Sequence, residues 1–135
     1  MKTLKFIKMH GLGNDFVILD ARMGAISVGV QQIQYLADRR FGVGADGLLL
    51  LENHPSADFI MVYYNSDGNL SSMCGNGGRC IAHFAKFLGI ISKKTTFEAV
   101  DGMHDAMVDD DWVSLKMNDV EKISVSENFI FLDTG

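Results

Sequence analysis

The sequence predicts an α+β domain in which a curled, mixed β-sheet, a partial barrel, wraps around one central buried α-helix. Three observations carry that expectation. The 135-residue chain is 47% apolar with one proline, enough to pack a single core. Much of its length divides into short apolar runs of strand length, separated by turn signals. The stretch "NGGRCIAHFAKFL" (76–88) spreads Ile81, Ala82, Phe84, Ala85, Phe87 and Leu88 over most of a helix circumference, leaving only Arg79, His83 and Lys86 polar. A helix apolar nearly all round is a buried one, and the many short strands are what can enclose it.

The elements follow in order. "LKFIKM" (4–9) and "FVILD" (16–20) read as strands joined by the tight turn "GLGND" (11–15). From Val28 to Arg40, Val30, Ile33, Tyr35, Leu36 and Ala37 recur at helical spacing, and Gly42 supplies a stop. "FGVGADG" contains a GxGxxG match at Gly42, Gly44 and Gly47. A dinucleotide fingerprint follows a strand and opens a helix; here the helix comes first, so the segment reads as a helix-to-strand turn. "GLLLLE" (47–52) suits a buried strand, and "ADFIMVYY" (57–64) another, ending in the turn "NSDG" (65–68). Gly89 closes the second helix. "TTFEAV" (95–100), "MHDAMV" (103–108) and "WVSLKM" (112–117) read as a meander turning at Asp101-Gly102 and at Asp109 to Asp111, and "FIFLD" (129–133) as one more strand. The pairs Arg39-Arg40 and Lys93-Lys94 read as cations at helix ends.

The chemistry concentrates in "SSMCGNGGRC" (71–80), where Cys74 stands at the start of the apolar helix. The first N–H groups of a helix have no intrahelical partner, and the dipole is positive there. Such a position favours the thiolate and offers donors to a carboxylate or phosphate. Gly75, Gly77 and Gly78 would let an anion approach the backbone, and Asn76 can cap. A thiol beside an anion pocket suggests nucleophilic attack, or proton transfer next to a bound carboxylate. From the local pattern alone, a packing cysteine before a glycine-rich helix start explains the same residues. A cysteine-dependent phosphatase loop does not fit: Cys74 to Arg79 is one residue short, and Cys80 stands where the arginine belongs. Cys74, Cys80, His83 and His104 lack the spacing of a zinc site, and no metal is expected; Cys80 and His83 read as core and helix-surface residues. His10, beside the first turn, reads as a residue that orients a loop.

The formal net charge of −5, with basic residues scattered, argues against nucleic acid as a partner. No apolar run approaches the roughly 18 residues of a membrane span, and the N-terminal residues lack a signal-peptide pattern. A cytoplasmic location is expected, with both cysteines as free thiols.

"KMHGLGNDF", "FGVGADG", "YNSDGNLSSMCGNGGRC" and the closing "DTG" occur in that order. Together they resemble the N-terminal half of diaminopimelate epimerase, a cofactor-independent amino-acid epimerase family. The resemblance implies two similar domains facing each other across a cleft, each a sheet around a central helix with one cysteine at a helix start. It implies interconversion of LL- and meso-diaminopimelate, in lysine and peptidoglycan precursor biosynthesis, by two thiols on opposite faces of the α-carbon. One thiolate removes the proton while the other thiol delivers one. On this resemblance Cys74 is the first-domain catalytic cysteine, and Asn14, Asn65, Gly75 and Asn76 contact substrate. Many relatives carry Gln where this chain has Gly47.

Residues 1–135 then form a single N-terminal domain. The family's second glycine-rich motif does not occur before Gly135, and Cys80, on the same element as Cys74, cannot serve the opposite face. The expectation is an isomerase domain that is inert or nearly so without its C-terminal catalytic partner domain. The alternative is a non-catalytic epimerase-like module that binds a carboxylate ligand or a protein partner, or a homodimer in which two copies face each other.

Overall fold

The computed structural model describes residues 3–24 and 26–132. Seven strands form one sheet in chain order: β1 (Ile7–Gly11), β2 (Asn14–Asp20), β3 (Gly47–Glu52), β4 (Phe59–Asn65), β5 (Lys94–Ala99), β6 (Gly102–Asp109) and β7 (Trp112–Leu115). The pairs β2–β3 and β4–β5 are parallel, and the other four are antiparallel. Antiparallel neighbours need only short turns, whereas a parallel pair needs a crossover. The two helices lie in those crossovers: α1 (Val30–Ala37) between β2 and β3, and α2 (Gly75–Phe87) between β4 and β5.

The apolar pattern of the central strands sets the layering. Side chains alternate between faces, so β2 sends Phe16 and Ile18 to one face and Val17 and Leu19 to the other, while β3 divides Leu49 and Leu51 from Leu48 and Leu50 in the same way. All eight are buried, which is why "LLLL" reads as a continuous run. The outer face carries α1 through Ile33. The inner face curls around α2, which packs against β1, β2, β3, β4, β6 and β7. The curled mixed sheet around a central buried helix is therefore the observed fold. Within α2, Cys80, Ile81, Ala82, Phe84 and Ala85 are buried.

Several boundaries differ from the sequence reading. Helix α1 ends at Ala37 because Asp38 is extended (φ −62°, ψ 125°) and its carboxylate accepts the Arg40 and Phe41 N–H groups at 2.7 Å each. Arg39-Arg40 thus lies in the following turn, and Lys94 opens β5, so neither basic pair caps a helix. The hairpin turns sit at Val100-Asp101 and Asp110-Asp111. The final apolar run does not join the main sheet: β8 (Ile123–Val125) and β9 (Ile130–Leu132) pair only with each other, and all six residues are exposed. The closing "DTG" lies outside the described residues.

Candidate active site

Cys74 is the N-cap of α2, with extended backbone (φ −123°, ψ 120°), and Gly78 N–H donates to its carbonyl at 2.8 Å. No side chain caps the helix, so its first N–H groups stand available for an acceptor. Asn76 lies inside the first turn rather than capping it. Its Nδ2 donates to Asn14 Oδ1 at 3.2 Å, and its own Oδ1 accepts from Arg79. Cys74 Sγ is half-buried and donates to the same Asn14 Oδ1 at 3.5 Å. The structure therefore brings together Cys74, Gly75, Asn76 and Asn14, a set that spans 62 residues of sequence.

The three glycines divide in role. Gly75 and Asn76 sit at the open rim. Gly77 and Gly78 are buried, where a Cβ would stand 3.2 Å from Met61 Cε and 2.6 Å from Met73 Cε respectively. Those two serve the packing of α2 inside the sheet and do not open the backbone to an anion. Asn65 ends β4, opposite Gly47, and its side chain makes no hydrogen bond to Cys74, Asn14 or Asn76.

Asn14 is held by a hairpin built for a tight reversal. Gly11 pairs with Asn14 across Leu12 (φ +55°) and Gly13 (φ +87°), and Gly13 N–H donates to His10 Nδ1 at 3.2 Å. His10 thus orients the loop. The segment "FGVGADG" is the helix-to-strand turn expected, closed against the last carbonyls of α1; a Cβ at Gly42 would fall 1.8 Å from Tyr35 O. It also does something its pattern did not reveal. Asp46 Oδ2 accepts from Asn14 Nδ2 at 2.8 Å and from Asp15 N–H at 3.1 Å, and Arg39 bridges Asp46 and Asp15. Arg39, with Lys8 beside it, holds the Asp15 carboxyl well below the usual carboxylate range against the opposing effect of burial.

Two further residues escaped sequence reasoning. The Tyr63 ring fills the space beside Gly47: a Cβ there would meet Tyr63 Cε2 at 2.5 Å. Burial raises the Tyr63 hydroxyl above its ordinary value. The signal was the diagonal relation of Gly47 and Tyr63 across β3 and β4, invisible until the register is known. His104 is 2% exposed, and its two ring nitrogens face Asp101 Oδ1 at 2.8 Å and Lys116 O at 3.1 Å. This fixes the chain after β7, where Met117 reaches the rim: its sulfur would lie 3.6 Å from a Cβ at Gly75. Cys80 is buried, and burial pushes its thiol up to about 11, so the two cysteines differ in access although they share a helix. Among the described residues no cluster of His, Cys, Asp and Glu could hold a metal, and no helix is long and apolar enough to cross a membrane.

The rim is apolar and open. Leu12 and Leu70, in the loops that carry Asn14 and lead to Cys74, are 94% and 67% exposed. A groove beside α2, lined by His10, Leu12, Arg79, Cys80, His83 and Trp112, adjoins the rim.

The fold recurs in solved structures. A hydroxyproline epimerase from Agrobacterium vitis, bound to trans-4-hydroxy-L-proline, superposes with a TM-score of 0.62 at 14% identity, over 94% of this chain and 46% of the other. A probable proline racemase from Agrobacterium radiobacter gives 0.61 at 15% identity, over 96% and 48%. At such identities the likeness is one of fold. Sequence carries more. The diaminopimelate epimerase of Flavobacterium psychrophilum is 54% identical over 134 residues, 98% of this chain and 52% of its own length. That of Chlorobaculum tepidum is 46% identical over 102 residues, 74% of this chain and 40% of its own. The chain thus spans about half the length of the first relative and less of the second. The family model for diaminopimelate epimerase matches residues 6–123, and the chain belongs to that family.

Proposed function

We propose that this domain supplies one face of a cofactor-independent amino-acid epimerase acting on diaminopimelate, with Cys74 as its proton-transfer group. One observation carries the reading: in a chain of this family, the accessible thiol sits at the uncapped N-terminus of α2, within hydrogen-bond reach of Asn14. The α-proton of an amino acid is weakly acidic, and its removal places charge on the α-carboxylate. The free N–H groups at the start of α2 and the amides of Asn14, Asn65 and Asn76 would bind that carboxylate and its neighbours, meeting the charge as it develops. Such preorganised donors contribute about 3–4 kcal/mol each in other enzymes. With the charge held in this way, the reaction needs no cofactor as electron sink.

Inversion needs an acid on the face opposite the base. Cys80 is on the same helix as Cys74 and buried, so the second group must come from another domain. The exposed rim at Leu12 and Leu70 is the surface on which that domain would close, excluding water and strengthening every electrostatic contact inside. A two-thiol enzyme of lysine biosynthesis, working in the cytoplasm, is the reading that joins these features. The test compares the 135-residue protein with the product of the full reading frame for conversion of LL- to meso-diaminopimelate. Turnover by the longer product, and a loss of at least about a hundredfold on Cys74→Ala with the fold retained, is the expected result. Full turnover by the 135-residue chain as a monomer contradicts the two-face argument, and no turnover by the longer product leaves a binding module.

A further inference from the structure

The contact between Asn14 and Cys74 has a polarity fixed by two charged residues. Asp46 precedes β3. Its Oδ2 accepts from Asn14 Nδ2 and Asp15 N–H, and its Oδ1 accepts from Arg39 at 2.9 Å. A carboxylate accepts only, so the Asn14 amide turns its NH2 toward Asp46 and its carbonyl oxygen away. At the other end of the row, Arg79 donates to Asn76 Oδ1. A guanidinium donates only, so Asn76 turns its NH2 toward Asn14 Oδ1. The row Arg79, Asn76, Asn14, Asp46 therefore runs in one direction, with a donor-only cation at one end and an acceptor-only anion at the other. Reversing Asn14 would set its oxygen against the Asp46 carboxylate and its NH2 against that of Asn76. Cys74 Sγ consequently meets an acceptor, Asn14 Oδ1, and fills the role of S–H donor.

We propose that Asp46 is a positioning residue for Cys74: by fixing which end of the Asn14 amide faces the sulfur, it sets Asn14 Oδ1 as the acceptor that the Cys74 S–H meets. It acts through Asn14. The other charged and titratable groups nearby are Arg79 and Cys80 on α2 and Tyr63 on β4, with Asp15, Arg39 and Lys8 beyond Asp46; none of them hydrogen-bonds the sulfur among the described residues. The orientation of the amide does not depend on the epimerase reading.

Two measurements on the 135-residue protein test it. In the 15N-labelled protein the Asn14 side-chain NH2 protons should show stronger nuclear Overhauser effects to the Asp15 amide proton than to the Cys74 Hβ protons. The reverse pattern overturns the proposal without any substitution. In Asp46→Ala the amide is free to turn its NH2 to the sulfur. Alkylation of Cys74 by iodoacetamide, followed by peptide mass, should then be about two- to tenfold faster at pH 7, and the ratio to the unsubstituted protein should shrink toward one as the pH rises and both thiols ionise. An unchanged rate and pH profile in a folded Asp46→Ala protein contradicts the proposal. Failure of the epimerase reading would look different: no turnover by the longer product, with both thiol results intact.

Discussion

Gly47 lies between two constraints that a single added carbon would violate. A Cβ there would stand 2.5 Å from Tyr63 Cε2 and 2.6 Å from Tyr64 O. The ring can swing aside, but the backbone oxygen belongs to the β3–β4 ladder and cannot. Gly47→Ala should therefore cost about 1–3 kcal/mol, read as a lower denaturant midpoint; an unchanged midpoint would show that the strand end yields. Leu12 presents the opposite case. It holds φ +55° while 94% exposed, a conformation that costs a branched side chain roughly 1 kcal/mol or more and that asparagine tolerates better. Leu12→Asn should raise the melting temperature, and a fall would mean that Leu12 makes contacts worth more than its strain. At this scale the sequence exposed the groups whose types carry chemistry, Cys74, Asn14 and Asn76, within recognisable motifs. It did not expose Asp46 or Tyr63. Their importance comes from partners about 16 to 32 positions away, set by strand register and by a turn that reads as packing.

Helix α2 was legible because its apolar residues cover most of its circumference, as a buried helix requires, although Phe87 in its last turn is 71% exposed. Its boundaries were readable within a residue, since Gly89 (φ +73°) closes it as a left-handed residue does. Helix α1 was overextended because Gly42 reads as its stop, whereas the Asp38 carboxylate captures the N–H groups of Arg40 and Phe41 and ends the helix at Ala37. A local hydrogen bond outweighed the pattern there. The chain after β7 was misjudged for a different reason: nothing local marks His104 as its anchor. With Asp101 accepting from both His104 and Asn118 Nδ2 at 2.9 Å, the β5–β6 turn and the segment at Lys116 to Asn118 form one unit. His104→Ala should cost about 2–4 kcal/mol, from a lost buried contact with Phe97 and the loss of the ring's bridge between Asp101 and Lys116. Hydrogen exchange should also quicken locally at residues 116–118. Loss of stability without that local change would place the role of His104 in the core alone.

For the molecule as a whole, one ion cluster joins the start of β2 to the last part of the β2–β3 crossover beside the site. Asp15 takes Arg39 in two hydrogen bonds, of 2.7 and 3.1 Å, with Lys8 at 3.1 Å, and its side chain is only 14% exposed. Its folded-state value lies below the ordinary 3.8, so its contribution to stability is fully present above that pH. The contribution is lost as the pH falls below 3.8, because the unfolded chain takes up the proton first. Denaturant midpoints should decline over that acid range, and Asp15→Asn should flatten the decline; equal slopes would assign acid sensitivity elsewhere. The layering of a curled sheet with one helix inside and one outside was readable from apolar patterning. The separation of the β8–β9 hairpin was not, because an apolar strand looks the same whether or not the main sheet receives it.

The central claim is that the sulfur of Cys74 exchanges a proton with the substrate's α-carbon. It is tested most directly by incubating the product of the full reading frame with diaminopimelate in deuterium oxide and following deuterium at the α-carbon by mass spectrometry. The account predicts rapid incorporation by the unsubstituted protein and its loss in Cys74→Ser, with Asp46, Asn14 and the fold intact. Incorporation by Cys74→Ser at the unsubstituted rate would contradict it.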